Sequence, residues 1–114
     1  MYEERRWGTL KTVDRDSVTL TKHIKMFSGM NSSYHYHKQR NEVWVFLKGE
    51  GEMVLGNTKM RVSGGMSVTI PKGANHIIKA DTDLEFLEVH IGAPDENDIN
   101  RIHFDWQRAA ENTL

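Results

Sequence analysis

The sequence predicts an all-β domain, a sandwich or barrel of short strands, on three observations. Apolar and polar residues alternate in short runs. Gly, Asn or Pro closes nearly every run, at roughly eight- to twelve-residue intervals. Helical periodicity is weak everywhere except the tail.

The elements follow in chain order. SVTLTKHIKMF (17–27) alternates Val18, Leu20, Ile24 and Met26 with Thr19, Thr21, His23 and Lys25, the pattern of a half-buried strand. EVWVFLKG (42–49) is β-branched and aromatic and stops at Gly49, and EGEMVLGN (50–57) ends at the turn pair Gly56-Asn57. TKMRVSGG (58–65) and MSVTIPKG (66–73) both close on Gly, and HIIKA (76–80) and LEFLEVHIG (84–92) complete the series. Met53, Met60 and Met66 read as core, and Trp7, Trp44 and Trp106 as core or interface. The tail, 95–114, is expected to be irregular or to hold a short helix around Asp105 to Glu111.

Composition narrows the function. The 114 residues suit one domain, 1–114, long enough to bury a real core. Charged residues make up 27% and apolar ones 38%, with a net charge of −1 and the signs mixed. No basic stripe points to nucleic acid. No apolar run reaches the length of a membrane span, and MYEERRWGTL has no apolar signal core, so the expected location is cytoplasmic. Without cysteine, any metal must bind through His, Asp, Glu, Asn or Gln.

One stretch concentrates such ligands. In YHYHKQRNEVW (34–44), His35 and His37 are two apart and share a strand face, with Tyr34 and Tyr36 on the other. Glu42 shares the parity of Trp44 and Phe46, so a carboxylate falls on the face expected to be buried, where it needs a partner. His76 follows the turn made by Pro71 and Gly73. Two or three imidazoles and a carboxylate suit zinc first, with iron, manganese, nickel or copper as alternatives. Taken alone, an H-x-H pair in a β protein is more often a surface pair or a local hydrogen-bonding pair than a metal site.

The wider spacing carries more information. Gly29, His35, His37, Glu42 and Gly49 fall at fixed gaps, and Gly65, Pro71, Gly73 and His76 form a second set 15 residues further on. This resembles the two motifs of the cupin superfamily, departing only at Ala80, where Asn is common. The resemblance implies a jelly-roll barrel, or double-stranded β-helix, with a divalent metal held by His35, His37, Glu42 and His76. The flanks are similar to the C-terminal cupin domain of type II mannose-6-phosphate isomerases. Arg6-Trp7-Gly8 matches its opening, His37, Arg40, Glu42 and Trp44 its H-H-H-R-A-E-H-W, and Glu88, Val89, Gly92, Asp98, Ile99, Arg101 and Asp105 its closing segment. The departures are His35 for Gln, Lys38, Gln39 and Val43 for histidines, and His90 for Gln.

Aldose–ketose isomerisation needs a base beside a polarised carbonyl. Glu88 and His90 share a face with Phe86 and reach the metal's cavity if that face is inward; otherwise they meet water. Lys22 interrupts the buried series of its strand, so it binds a ligand anion, pairs with Glu88, or runs its stem to solvent. Arg40 is the second candidate for the anion. The expected ligand is a sugar phosphate or nucleotide sugar. The expected assembly is a homodimer, with Glu3 to Leu10 as the interface implied by the resemblance. Two alternatives stand beside the isomerase: a metal cupin of other chemistry, such as an iron dioxygenase, and a non-catalytic sugar-binding module.

Overall fold

The structure of the protein is a computed structural model that describes residues 2–92, 95, 97–111 and 113. In chain order the elements are β1 (Tyr2–Arg5), β2 (Gly8–Arg15), β3 (Thr19–Met26), β4 (Tyr34–Tyr36), β5 (Arg40–Lys48) and β6 (Glu50–Leu55). β7 (Thr58–Ser63), β8 (Ser67–Ile70), β9 (His76–Ala80), β10 (Leu84–Gly92), β11 (Asn100–His103) and α1 (Trp106–Glu111) follow. The strands form two antiparallel sheets. One runs β1-β2-β3-β10-β5-β8 and the other β11-β4-β9-β6-β7. The all-β expectation and the helical tail both hold.

Alternation decides which face of each strand turns inward. On β5, Arg40, Glu42, Trp44 and Phe46 are buried, while Asn41, Val43, Val45 and Leu47 face outward. On β10, Leu84, Phe86 and His90 turn inward with them. The core lies between the sheets, where Trp44 stacks on Phe86 at 4.9 Å between ring centroids and Phe46 packs on Phe86 at 5.2 Å. Ile24, Met26, Met53, Ile78 and Leu84 fill the space around them. Gly49 turns β5 into β6 at φ 90°, and a side chain there would run into the Asp83 carbonyl. Only glycine fits.

Two apolar assignments are corrected. Val18 is 54% exposed, because the Asp16 carboxylate accepts from the amides of Val18 and Thr19, each at 2.7 Å. That turn delays the strand to Thr19. Met66 is 39% exposed, because it sits in the Gly64-Gly65 turn before β8 rather than on the strand. The structure also adds β1, β2 and β11, which carry few buried apolar residues. Their ladders, not an apolar stripe, make them strands. At the tail, the Asp105 carboxylate caps α1 by accepting from the Arg108 amide at 3.2 Å. Ala109 and Trp106 then pack on Val54, Ile77 and Tyr34, outside the main core.

Candidate metal centre

β4 and β9 pair at a single register, His35 opposite His76, so two histidines meet across the ladder. His37 follows β4 directly. The Gly73 amide donates to its carbonyl at 2.6 Å, tying the turn before His76 to the segment holding His37. Gly73 has φ 85°, which favours glycine in that turn. The three rings converge, with centroids 4.9 Å apart for His35–His37, 4.4 Å for His35–His76 and 5.2 Å for His37–His76. One ring nitrogen from each lies within 4.8 Å of the others.

Hydrogen bonding fixes which nitrogen faces inward. Nδ1 of His35 donates to the Ser33 carbonyl at 2.9 Å, that of His37 to the Asp98 carbonyl at 2.7 Å, and that of His76 to the Ala74 carbonyl at 3.0 Å. A carbonyl only accepts, so all three Nδ1 atoms carry hydrogen and the Nε2 atoms are left to bind elsewhere. Burial, then the nearby His76 and His37, hold His35 well below its ordinary pKa, and burial lowers His76 too. Both are neutral rings with lone pairs on Nε2. The Nε2 of His76 is buried and has no hydrogen-bond partner among the described residues. An imidazole with a carbonyl behind it and a free lone pair in front is the form a metal ligand takes.

Glu42 lies beside these rings at 1% exposure. Its Oε2 accepts from Arg40 Nε at 2.8 Å, and its Oε1 accepts from the Trp44 indole at 2.8 Å. Burial works to raise its pKa, but His37, His90 and Arg40 outweigh it, and the group stays ionised. Oε2 is also 2.9 Å from His37 Nε2. With His37 Nδ1 already donating, that contact sets a lone pair against a carboxylate oxygen unless a cation, proton or metal, lies between them. A cluster able to hold a divalent metal is therefore built into the fold.

Glu88 and His90 turn inward on β10, and His90 stands opposite Glu42 in the ladder. His90 Nε2 is 3.0 Å from Glu88 Oε1 and 3.5 Å from Glu42 Oε2, while its Nδ1 is buried without a partner among the described residues. These groups open onto a cavity of about 470 Å³ between the sheets, shared by His35, His37, Glu88 and His90. That volume suits a small organic ligand. Its cations are Arg5, Arg6, Lys22, Arg40 and Arg101, against the carboxylates Glu3 and Glu88. Three of the cations are occupied: Arg5 by Glu3, Arg6 by the Asn31 carbonyl and Arg40 by Glu42. Lys22 and Arg101 have no ion-pair partner among the described residues.

The structure thus brings His35, His37 and His76 together, sets Glu42 against His37 in a second cluster with Glu88 and His90, and places Lys22 in the cavity wall. Arg40 is also there, but its guanidinium is 7% exposed and spent on Glu42 Oε2 and the Asp95 carbonyl. Lys38 and Gln39 are exposed and Val43 lies on the outer face of β5, so all three departures from histidine point away from the cavity. Arg101 and Asp98 carry roles that residue reasoning missed. Both lay in the matched closing segment, and neither has a local pattern that reveals its partner. Asp98 takes the amides of Lys38 and Gln39 on its two carboxylate oxygens, at 2.9 and 2.8 Å.

Comparison with known proteins agrees with this picture. The family model described as mannose-6-phosphate isomerase C-terminal matches residues 2–104. The alginate biosynthesis protein AlgA of Pseudomonas aeruginosa is 28% identical over 113 residues, 96% of this chain and 24% of that protein. The xanthan biosynthesis protein XanB of Xanthomonas campestris is 30% identical over 100 residues, 85% of this chain and 21% of that one. The chain thus spans about a quarter or less of these curated relatives. Among solved structures, KdgF from Halomonas sp. superposes with a TM-score of 0.78 at 18% identity, covering 85% of this chain and 92% of that one. Oxalate decarboxylase from Bacillus subtilis gives 0.81 at 19% identity, covering 90% of this chain and 30% of that one. At such identities the likeness is one of fold, the cupin jelly roll.

Proposed function

The chain belongs to the family of mannose-6-phosphate isomerase C-terminal domains, and from that premise we propose that it is a metal-dependent aldose–ketose isomerase of a sugar phosphate. Residues 1–114 act in this reading as one domain. His35, His37 and His76 hold the ion through Nε2, with Glu42 as the fourth ligand. The observation that carries the reading is the set of imidazoles, each backed by a carbonyl on Nδ1, opening beside an acid–base pair in a cationic cavity.

A divalent ion bound there supplies Lewis acidity to the substrate's carbonyl and hydroxyl oxygens. The remaining work falls to side chains. His90 donates from Nε2 to Glu88, which fixes the tautomer and leaves a lone pair on the buried Nδ1. The Glu88–His90 pair takes the proton from C2 of the open-chain aldose and returns it to C1, as a second proton passes from O2 to O1. Glu88 orients the ring and stabilises its charged form, as the carboxylate of a base–orienter pair does. Lys22 and Arg101 face the cavity from opposite sheets and hold the phosphate, Arg101 joining the candidates the sequence offered. Arg40 acts on the ligand only through Glu42, whose carboxylate it holds. Because Lys38, Gln39 and Val43 lie outside the cavity, the lost histidines do not remove this chemistry.

The test is turnover. Protein purified without a histidine tag and loaded with zinc, manganese, iron, cobalt or nickel is expected to interconvert mannose 6-phosphate and fructose 6-phosphate. Failure with every metal would reject the isomerase. Tight sugar-phosphate binding in that protein would instead identify a non-catalytic binding module.

A further inference from the structure

The three imidazoles of the metal centre are not held in the same way. His35 and His76 each donate Nδ1–H to the carbonyl two residues before them, Ser33 and Ala74, so each clamp travels with its own ligand. His37 has no such local acceptor. Its Nδ1–H goes to the carbonyl of Asp98, 61 residues later. We infer that Asp98 is a positioning residue for the metal centre, one that sets His37 and couples ion binding to docking of segment 97–103. The inference rests on the metal site proposed above.

Every polar group of Asp98 turned toward this region serves that end. Its carboxylate takes the Lys38 amide on one oxygen and the Gln39 amide on the other, pinning the two residues that follow His37. Its carbonyl then meets the ring of His37. Asp98 is 8% exposed, so these bonds are sheltered from water. Few other contacts hold the segment. β11 pairs with β4 at only Asn100↔Tyr36, Arg101↔His35 and His103↔Tyr34, with a shift in register between Arg101 and His103. The Asn100 side-chain amide adds a bond to the Tyr36 carbonyl at 3.3 Å. Remove the Asp98 carboxylate and the carbonyl that fixes His37 loses its anchor.

The coupling runs both ways, as linkage requires. A docked segment presents His37 Nε2 to the ion, and an ion on Nε2 makes Nδ1–H a stronger donor to Asp98. Bound metal should therefore protect the backbone amides of 97–103 from exchange.

Cobalt is the probe, because its visible absorption reports coordination as well as occupancy. Asp98→Ala is expected to bind Co2+ roughly 10- to 100-fold more weakly than the unaltered chain, with a changed absorption band. Asp98→Asn keeps an acceptor oxygen and should recover part of the loss. Hydrogen exchange over 97–103 should slow with Zn2+ in the unaltered chain and not in Asp98→Ala. Unaltered Co2+ affinity and spectrum in Asp98→Ala, even with a lower unfolding temperature, would overturn the inference and leave the metal site standing. So would exchange over 97–103 that ignores Zn2+. If Asp98→Ala does not fold, Asp98→Asn decides by the same affinity measurement, a partial loss supporting and no change overturning. If the unaltered chain takes up no Co2+, the metal site fails and the inference falls with it.

Discussion

His76 Nε2 is a buried lone pair with no hydrogen-bond partner among the described residues, a state that costs about 1–3 kcal/mol unless something occupies it. His76→Ala should therefore lower metal content by more than the roughly 10- to 100-fold typical of losing an outer partner. Metal analysis of the purified variant checks this, and undiminished content would remove His76 from the ligand set. The rings also carry a pH signature. His35 and His76 are held below the free-imidazole value of 6.5, so the unfolded chain takes up protons that the folded chain refuses. Their contribution to stability is complete above that value and is lost as the pH falls below it. Urea midpoints of metal-free protein should drop between about pH 7.5 and about pH 5.5, and a flat profile would contradict neutral rings. For the acid–base pair, His90→Gln should lower kcat by roughly 100- to 10,000-fold while leaving Co2+ binding nearly intact. Equal losses of kcat and Co2+ would make His90 a ligand instead.

At the scale of elements, the strands that build the site were the readable ones. β5 alternates so regularly that its inward set, Glu42, Trp44 and Phe46, follows from parity, whereas on β10 parity groups Phe86, Glu88 and His90 on one face without saying which way it points. β1, β2 and β11 were not readable, because edge strands (β1, β11) and the strand paired beside one (β2) are held by their ladders and carry no apolar stripe. The carbonyl behind His37 was hidden for a different reason: a contact 61 residues away leaves no mark in local spacing. Lys22 was legible as an oddity in β3, but that Arg101 faces the same cavity depended on β11. The turn between β5 and β6 gives a test of packing apart from chemistry. Gly49→Ala puts a Cβ against the Asp83 carbonyl at φ 90°, and it should cost about 1–3 kcal/mol in urea unfolding. A neutral outcome would show that the β5–β6 corner yields without strain.

Across the whole molecule, the cavity joins two kinds of side chain, the proposed ligands His35 and His37 and two cations, Lys22 and Arg101, that face it from both sheets with no ion-pair partner among the described residues. Lys22→Met and Arg101→Met should each raise KM for a sugar phosphate by roughly 10- to 100-fold, equivalent to about 1.5–3 kcal/mol, with kcat little changed. A loss confined to kcat would place them at the reacting carbons instead. Among the described residues no helix is long and apolar enough to cross a membrane.

His35 and His76 stand on β4 and β9, in the five-stranded sheet, whereas Glu42 stands on β5, in the six-stranded one. An ion shared among them would be a clasp between two leaves that meet through the packed core and through the contact of His37 with Glu42. Chelation would leave the stacked rings of the core in place and remove that clasp, so the metal-free protein should hold its two leaves less firmly at the histidine end than the loaded one.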